Sequence, residues 1–197
     1  MAGVHDPFEI SRAELDSLIR VVKTFGAKVE EVGEEPEGAR FIGTFEGHMI
    51  RLFPKHDSNF ALYFTVAHLY GHMVQLTRPK SLEMQRATDL VNQVGGTLSP
   101  RDVQAIYDHE VEAAKIGRAL MNQVGAVTPA IDGQYSRMFF ADFHYLINFI
   151  ETKVAGVEAF EGYLRREPIP WRLIEADTRP MVNLAEFEVL AGGAIVV

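Results

Sequence analysis

Apolar residues recur at helical spacing in several stretches of the chain, and shorter strand-like patterns separate the first two of these stretches. The first helix is predicted from about Ser11 to Phe25, with an apolar face at every third or fourth position. Ser11 is a typical N-cap, Glu14 three residues later completes a capping box, and Gly26 is typical of a helix end. The pattern therefore opens with a well-bounded amphipathic helix.

Strand-like runs follow this helix. The segment "KVEEVGEEPEGA" predicts an exposed loop with a short strand ahead of it, and the runs 40–45 and 48–53 predict a β-hairpin around Glu46-Gly47. Further helices are predicted at about Asn59 to Pro79, Ser81 to Gly95, Pro100 to Met121 with Ser99 as N-cap, and Ser136 to Leu164 with a break near Gly156. The tail is expected to be irregular, with a strand through "FEVL" or "AIVV". The predicted fold class is α+β: a mainly helical domain with a small antiparallel sheet or hairpin before the helix that carries two histidines.

Composition narrows the classes of function. The 197 residues carry a net charge of −8, which argues against direct binding to a nucleic-acid backbone. The absence of cysteine excludes disulfides, thiolate metal ligands and a cysteine nucleophile. No signal-peptide pattern is found, and no apolar run approaches the roughly 20 residues of a membrane-spanning helix. We therefore expect a cytoplasmic protein that contacts neither nucleic acid nor membrane.

The stretch "FTVAHLYGHMVQ" places His68 and His72 four residues apart in a predicted helix. Residues at this spacing share a helix face, so both imidazoles can reach one metal ion. On spacing alone, two histidines that bond to the backbone or contact solvent are the simpler interpretation. Gly71 leaves room for a close neighbour, however, and ring nitrogens in an apolar helix need partners. Two ligands do not complete a zinc site, so a third residue is required from elsewhere in the chain.

Glu110 is the candidate for the third ligand. It lies on a predicted helix whose small residues, Ala113, Ala114 and Gly117, permit close approach of a neighbouring helix. The alternative is a solvated charge, which is the expectation for Glu112.

These segments resemble the ImmA/IrrE-like zincin metallopeptidases, whose first motif is close to "RFTLAHELGHLLL" and whose second is an E-x-x-A-x-x-F-A-x-x-L-L-like helix. The matching positions here are Phe64, Thr65, Ala67, His68, Gly71 and His72, then Glu110, Ala113, Leu120 and Met121. The resemblance covers about Phe41 to Met121. It implies a zinc ion held by His68, His72 and Glu110, with a zincin-like core over 41–121 of a single domain (1–197) and a helical extension with an apolar tail over 122–197.

Leu69 occupies the position where this family carries its general-base glutamate. General acid–base catalysis contributes about 10²- to 10⁴-fold, and leucine cannot transfer a proton. We therefore predict a catalytically impaired, zinc-binding homologue that acts by binding a protein partner or peptide. Members of the family often accompany repressors, although no DNA-binding element is identified in this chain.

Three alternatives remain open at this point. The first is an active metallopeptidase with a substitute base, for which Asp108 and His109 are the sequence neighbours of Glu110. The second is a helical-bundle metal site in which His144 joins the other ligands, although a hydrogen-bonded core histidine is the simpler role for His144. The third is a motif that binds no metal.

Overall fold

The computed structural model describes residues 10–33, 42–53, 59–78, 81–92, 96–125, 127–153 and 172–187. Within these ranges the elements, in chain order, are α1 (Arg12–Thr24), β1 (Lys28–Glu31), β2 (Gly43–Glu46), β3 (Met49–Leu52), α2 (Asn59–Leu76), α3 (Leu82–Asn92), α4 (Pro100–Val124), α5 (Pro129–Thr152) and a 3₁₀ helix (Leu184–Glu186). The predicted α+β class is confirmed, with the sheet preceding the main helices. Among the described residues, no helix combines the length and apolar character needed to cross a bilayer.

The predicted cap residues bound two of the helices. At α1 the Ser11 hydroxyl accepts from the Glu14 amide, and the Glu14 carboxylate accepts from the Ser11 amide. Ser99 and Asp102 form the same reciprocal pair at the start of α4. Each pair satisfies amides that the first helical turn leaves without intrahelical acceptors, which explains why both boundaries were predictable.

The sheet has three strands and is mixed, because a parallel strand joins the expected antiparallel pair. The β2–β3 hairpin is confirmed, with its turn at Gly47 and His48, but β1 pairs in parallel with the other edge of β3. Phe45 of β2 and Ile50 of β3 are paired and buried, and both strands contact α2. The sheet therefore packs beside the helix that carries the two histidines.

Helix α2 is buried on all sides, from Phe60 to Gln75. Helix α4 crosses it at very short range through small residues. A methyl group on Gly71 would overlap the backbone carbonyl of Ala113, and one on Gly117 would lie 2.6 Å from the carbonyl oxygen of Ala67. The close helix approach predicted from Gly71 and from the small residues of α4 is confirmed.

Helix α5 begins at Pro129, so the predicted start at Ser136 is wrong by two turns of helix. The Thr128 hydroxyl accepts from the Ile131 amide, and Pro129 fills the first helical position. Lys153, with φ at 62°, ends the helix in the left-handed region. The rest of the predicted helix, with its break near Gly156, lies outside the described residues.

The segment 172–187 is irregular apart from the 3₁₀ helix, as predicted, and it is tied to the helices by hydrogen bonds. The Tyr70 hydroxyl donates to the Val182 carbonyl at 2.8 Å, and the Ile174 amide donates to the Ser136 hydroxyl at 2.9 Å. The predicted strands "FEVL" and "AIVV" lie outside the described residues, apart from Phe187. The division into a core over 41–121 and an extension over 122–197 stays a prediction.

Candidate metal centre

Three side chains from α2 and α4 bring one ligand atom each to a single point. His68 Nε2 and His72 Nε2 lie 3.1 Å from each other, and each lies 3.1 Å from Glu110 Oε2. The four-residue spacing places both imidazoles on one face of α2, and the glycine contacts bring α4 close enough for a short carboxylate to reach them. The cluster predicted from the sequence is thus assembled in the structure.

The cluster is deeply buried. The relative exposures are 1% for His68, 0% for His72 and 2% for Glu110. Phe64 stacks on the His68 ring at a centroid distance of 5.4 Å, and Phe45 stacks on the His72 ring at 6.3 Å. These aromatic neighbours hold the imidazoles in place and exclude water, so the polar atoms of the cluster must satisfy one another or a bound ion.

A hydrogen-bond chain orients His72. Gln75 Nε2 donates to the His109 backbone carbonyl at 2.7 Å, since a carbonyl can only accept. Gln75 Oε1 therefore faces His72 Nδ1 at 2.8 Å, and His72 Nδ1 carries the proton. In the neutral ring this leaves the lone pair of His72 Nε2 directed toward the cluster, which is the arrangement that orients metal-binding histidines.

This assignment leaves electron-rich atoms in contact. One proton on His68 Nε2 can be donated to Glu110, but the His72–Glu110 contact then still joins two acceptors at 3.1 Å. Although burial alone would raise it, the neighbouring His72 and His68 hold the pKa of Glu110 well below its usual range, so the carboxylate stays ionised. An additional proton on His72 Nε2 would turn only the His72–Glu110 contact into a hydrogen bond. A metal cation would satisfy all three atoms at once.

The dimensions of the triangle and the unpartnered Glu110 Oε1 fit such an ion. Ligands about 2.0–2.1 Å from zinc are separated by roughly 3.3 Å in a tetrahedral arrangement, and an octahedral ion at similar distances gives roughly 2.9–3.0 Å. The observed 3.1 Å lies between these values. Among the described residues, the buried atoms Glu110 Oε1 and His68 Nδ1 have no hydrogen-bond partner. The donor set of two imidazoles and a carboxylate suits zinc and other first-row divalent ions.

The structure adds a second carboxylate that sequence reasoning missed. Asp142 of α5 is 8% exposed, and its Oδ2 lies 4.0 Å from His68 Nε2. Burial, with a further contribution from the charge on Glu110, raises the pKa of Asp142 to about 8. The sequence signal that could have identified Asp142 is an acidic residue within an otherwise apolar helix. His144 was predicted as a possible further ligand or, more simply, as a hydrogen-bonded core histidine; it is exposed beside Phe143 and lies outside the cluster.

The groups considered as substitutes for the missing base lie in other settings. Asp108 is exposed and accepts from Gln104. Glu112 is not simply solvated, as had been expected, since it forms a partly buried ion pair with Arg78 and a more exposed one with Arg179. Leu69, at the base position, is 1% exposed, belongs to the hydrophobic core and has no proton to transfer. The hydrogen bonds and ion pairs shown for Asp108 and Glu112 are made with residues other than His68, His72 and Glu110.

His109 is the remaining neighbour, with its ring centroid 5.0 Å from that of His72. It is buried, and neither ring nitrogen has a hydrogen-bond partner among the described residues. Burial, with a further contribution from His72, lowers the pKa of His109 to about 4, so the ring is neutral at pH 7. It adds no positive charge that could balance the carboxylates.

Comparisons of the chain with protein-family models, with curated proteins and with solved structures found no match. The geometry of the cluster is therefore the feature that indicates a function.

Proposed function

We propose that this chain is a divalent-metal-binding protein that holds zinc through His68, His72 and Glu110 and acts by binding rather than by peptide hydrolysis. The observation that carries the proposal is the buried triangle of ligand atoms with 3.1 Å edges, in which Glu110 forms no ion pair with a lysine or arginine among the described residues. Burying these groups without a cation would carry a desolvation cost that a metal ion offsets.

The order and packing of elements support a zincin-like arrangement over a helical bundle. A β-hairpin packs against α2, and the third candidate ligand comes from a later helix that crosses α2 closely. This is the order expected from the resemblance to ImmA/IrrE-like zincins. In an all-helical bundle, the hairpin would have no part in the site, whereas here Phe45 of β2 stacks on His72.

Two features argue against an efficient peptidase. A bound zinc ion can lower the pKa of a water ligand to about 7, but peptide cleavage also requires a proton for the leaving amine. Leu69 cannot supply it, and the ligands are at most 2% exposed, which leaves a peptide bond no direct approach. We therefore assign the chain a binding or regulatory role, with a protein or peptide as its partner.

Zinc competition tests this proposal. The metal-stripped protein is titrated with zinc against a chromophoric chelator, beside His68→Ala, His72→Ala and the control His144→Ala. One tight site is expected in the wild type and in the exposed-histidine control, because His68 and His72 belong to the cluster and His144 does not. Equal zinc affinity in all four proteins would contradict the site.

A peptidase assay on the zinc-loaded protein tests the second half of the proposal. Cleavage of a casein or peptide library is expected to stay at the level of the His68→Ala variant. Cleavage that depends on His68 would show that another group replaces the missing base, and it would restore the metallopeptidase alternative.

A further inference from the structure

Asp142 lies in a setting that an ionised carboxylate ordinarily avoids. Its neighbours along α5 are buried apolar residues, including Phe139, Phe143 and Leu146. Among the described residues, the polar contact shown for its side chain is the approach of Oδ2 to His68 Nε2 at 4.0 Å. Buried polar side chains are usually hydrogen-bonded, so a buried carboxyl group with no hydrogen bond to another described residue calls for a further role.

The position of Asp142 relates it to the metal cluster. Helices α2, α4 and α5 enclose the cluster, and Asp142 faces His68 from the third of them. Two carboxylates, Glu110 and Asp142, therefore approach the same imidazole, at 3.1 Å and 4.0 Å from His68 Nε2. Both can be ionised together only when a cation lies near them; otherwise one of the two keeps its proton.

We propose that Asp142 is a fourth protein ligand of the metal ion held by His68, His72 and Glu110; this inference rests on the function proposed above. The centre then has two imidazole and two carboxylate ligands from three helices. Asp142 needs to approach His68 by less than about 1 Å to match the roughly 3.3 Å spacing of tetrahedral zinc ligands. It also needs to approach His72 or Glu110, because the ligand atoms that all lie within 4.8 Å of one another are those of His68, His72 and Glu110. A change of side-chain rotamer provides a movement of this size.

The assignment has a consequence for function. Catalytic zinc sites usually have three protein ligands and keep the fourth position for water or substrate, whereas structural sites are closed by four protein ligands. Asp142 occupies the position that a hydrolytic water would need. The closed centre would link α5 to α2 and α4, so metal binding would stabilise the packing of these helices.

Cobalt substitution separates a fourth ligand from a nearby charge. The visible spectrum of Co²⁺ reports coordination number and the identity of the ligands. In the wild type, added azide is expected to leave the spectrum unchanged, because no position is open. In Asp142→Ala, a water ligand replaces the carboxylate, and azide is expected to shift the spectrum. A wild-type spectrum that responds to azide as strongly as the variant would overturn the assignment.

Zinc affinity gives the second readout. Loss of an outer-shell partner costs about 10–100-fold in affinity, so loss of a ligand in Asp142→Asn is expected to cost about 100-fold or more. Asp108→Asn is the matched control, since it removes the same charge at an exposed site and should retain wild-type affinity. If the wild type binds zinc and Asp142→Asn binds it equally well, the fourth ligand is refuted and the three-residue site stands. If the wild type binds no zinc, both proposals fail.

Thermal unfolding distinguishes the loss of a metal ligand from the loss of the fold in the Asp142→Asn variant. Without metal, Asp142→Asn should be at least as stable as the wild type, because it removes a buried carboxylate that lacks a partner. With saturating zinc, the gain in melting temperature should be smaller in the variant. A metal-free variant that is clearly less stable than the metal-free wild type would show a structural role and overturn the assignment.

Discussion

Gly71 is expected to control both the stability of the fold and the assembly of the metal site. Glycine in a helix interior is less favourable than alanine by about 0.8–1.0 kcal/mol, so Gly71→Ala would stabilise α2 if space were available. The added methyl group would instead overlap the backbone carbonyl of Ala113 in α4. Because the obstacle is backbone rather than a flexible side chain, the helices must move apart, and overpacking of this kind typically costs about 1–3 kcal/mol.

The cost of about 1–3 kcal/mol less the gain of about 0.8–1.0 kcal/mol leaves a net loss of up to about 2 kcal/mol, which corresponds to a fall in melting temperature of up to about 8 °C for a chain of this size. The movement also carries Glu110 away from the histidines, so zinc affinity should fall in the same variant. Gly96→Ala is the control, since no contact within 4 Å of the added methyl group is found among the described residues and Gly96 does not have a left-handed φ.

The assay for Gly71→Ala is thermal unfolding of the metal-free protein, followed by zinc competition. A Gly71→Ala variant that melts at or above the wild-type temperature, with zinc affinity unchanged, would refute the close crossing of α2 and α4 as the feature that positions Glu110.

Two further substitutions test contacts around α2. Tyr70→Phe should lower the free energy of unfolding by about 1 kcal/mol in urea titrations, because it removes a hydrogen bond to the segment 172–187. Tyr63→Phe is the control and should cause no such loss, since the Tyr63 hydroxyl is buried without a partner among the described residues. Equal losses in the two variants would contradict this prediction. Gln75→Met should weaken zinc binding about 10–100-fold, because His72 Nδ1 loses its acceptor. The exposed change Gln104→Met should leave zinc affinity unaltered, and a Gln75→Met affinity equal to that of this control would show that the hydrogen bond does not orient the ligand.

Local signals were enough to predict the elements that the site needs. Ser11 with Glu14, and Ser99 before Pro100, marked helix starts because side chains there satisfy exposed backbone amides. The start of α5 carried the same signal in Thr128-Pro129 but was placed at Ser136, since the apolar pattern becomes dense only there. The N-cap residue therefore predicted the helix start correctly where it was used, and the apolar pattern predicted it wrongly for α5.

The cluster itself was predictable in part. Spacing on one helix relates His68 to His72, and small residues on another helix indicated where Glu110 could approach. Asp142 was not predicted, because its contact with His68 depends on how α5 packs, which no local pattern specifies. Long-range pairing also explains the parallel strand β1, whose partner β3 lies about 20 residues later in the chain.

The ion pairs of Glu112 are a further example of contacts that local sequence patterns do not specify. From the sequence, a charged residue near Glu110 was expected to be solvated. In the structure, the segment 172–187 returns over α4 and brings Arg179 to Glu112, while Arg78 approaches from the end of α2. Neither arginine is a helical neighbour of Glu112, so the pairing follows from tertiary packing.

The most direct test of the central claim is the metal content of the purified, untagged protein, measured by elemental analysis beside a His68→Ala, His72→Ala double variant. The account predicts about one zinc ion per chain in the wild type and none in the double variant, with both proteins folded by circular dichroism. Near-zero metal in both proteins, before and after incubation with zinc, would contradict it. The buried triangle would then be held by protons alone.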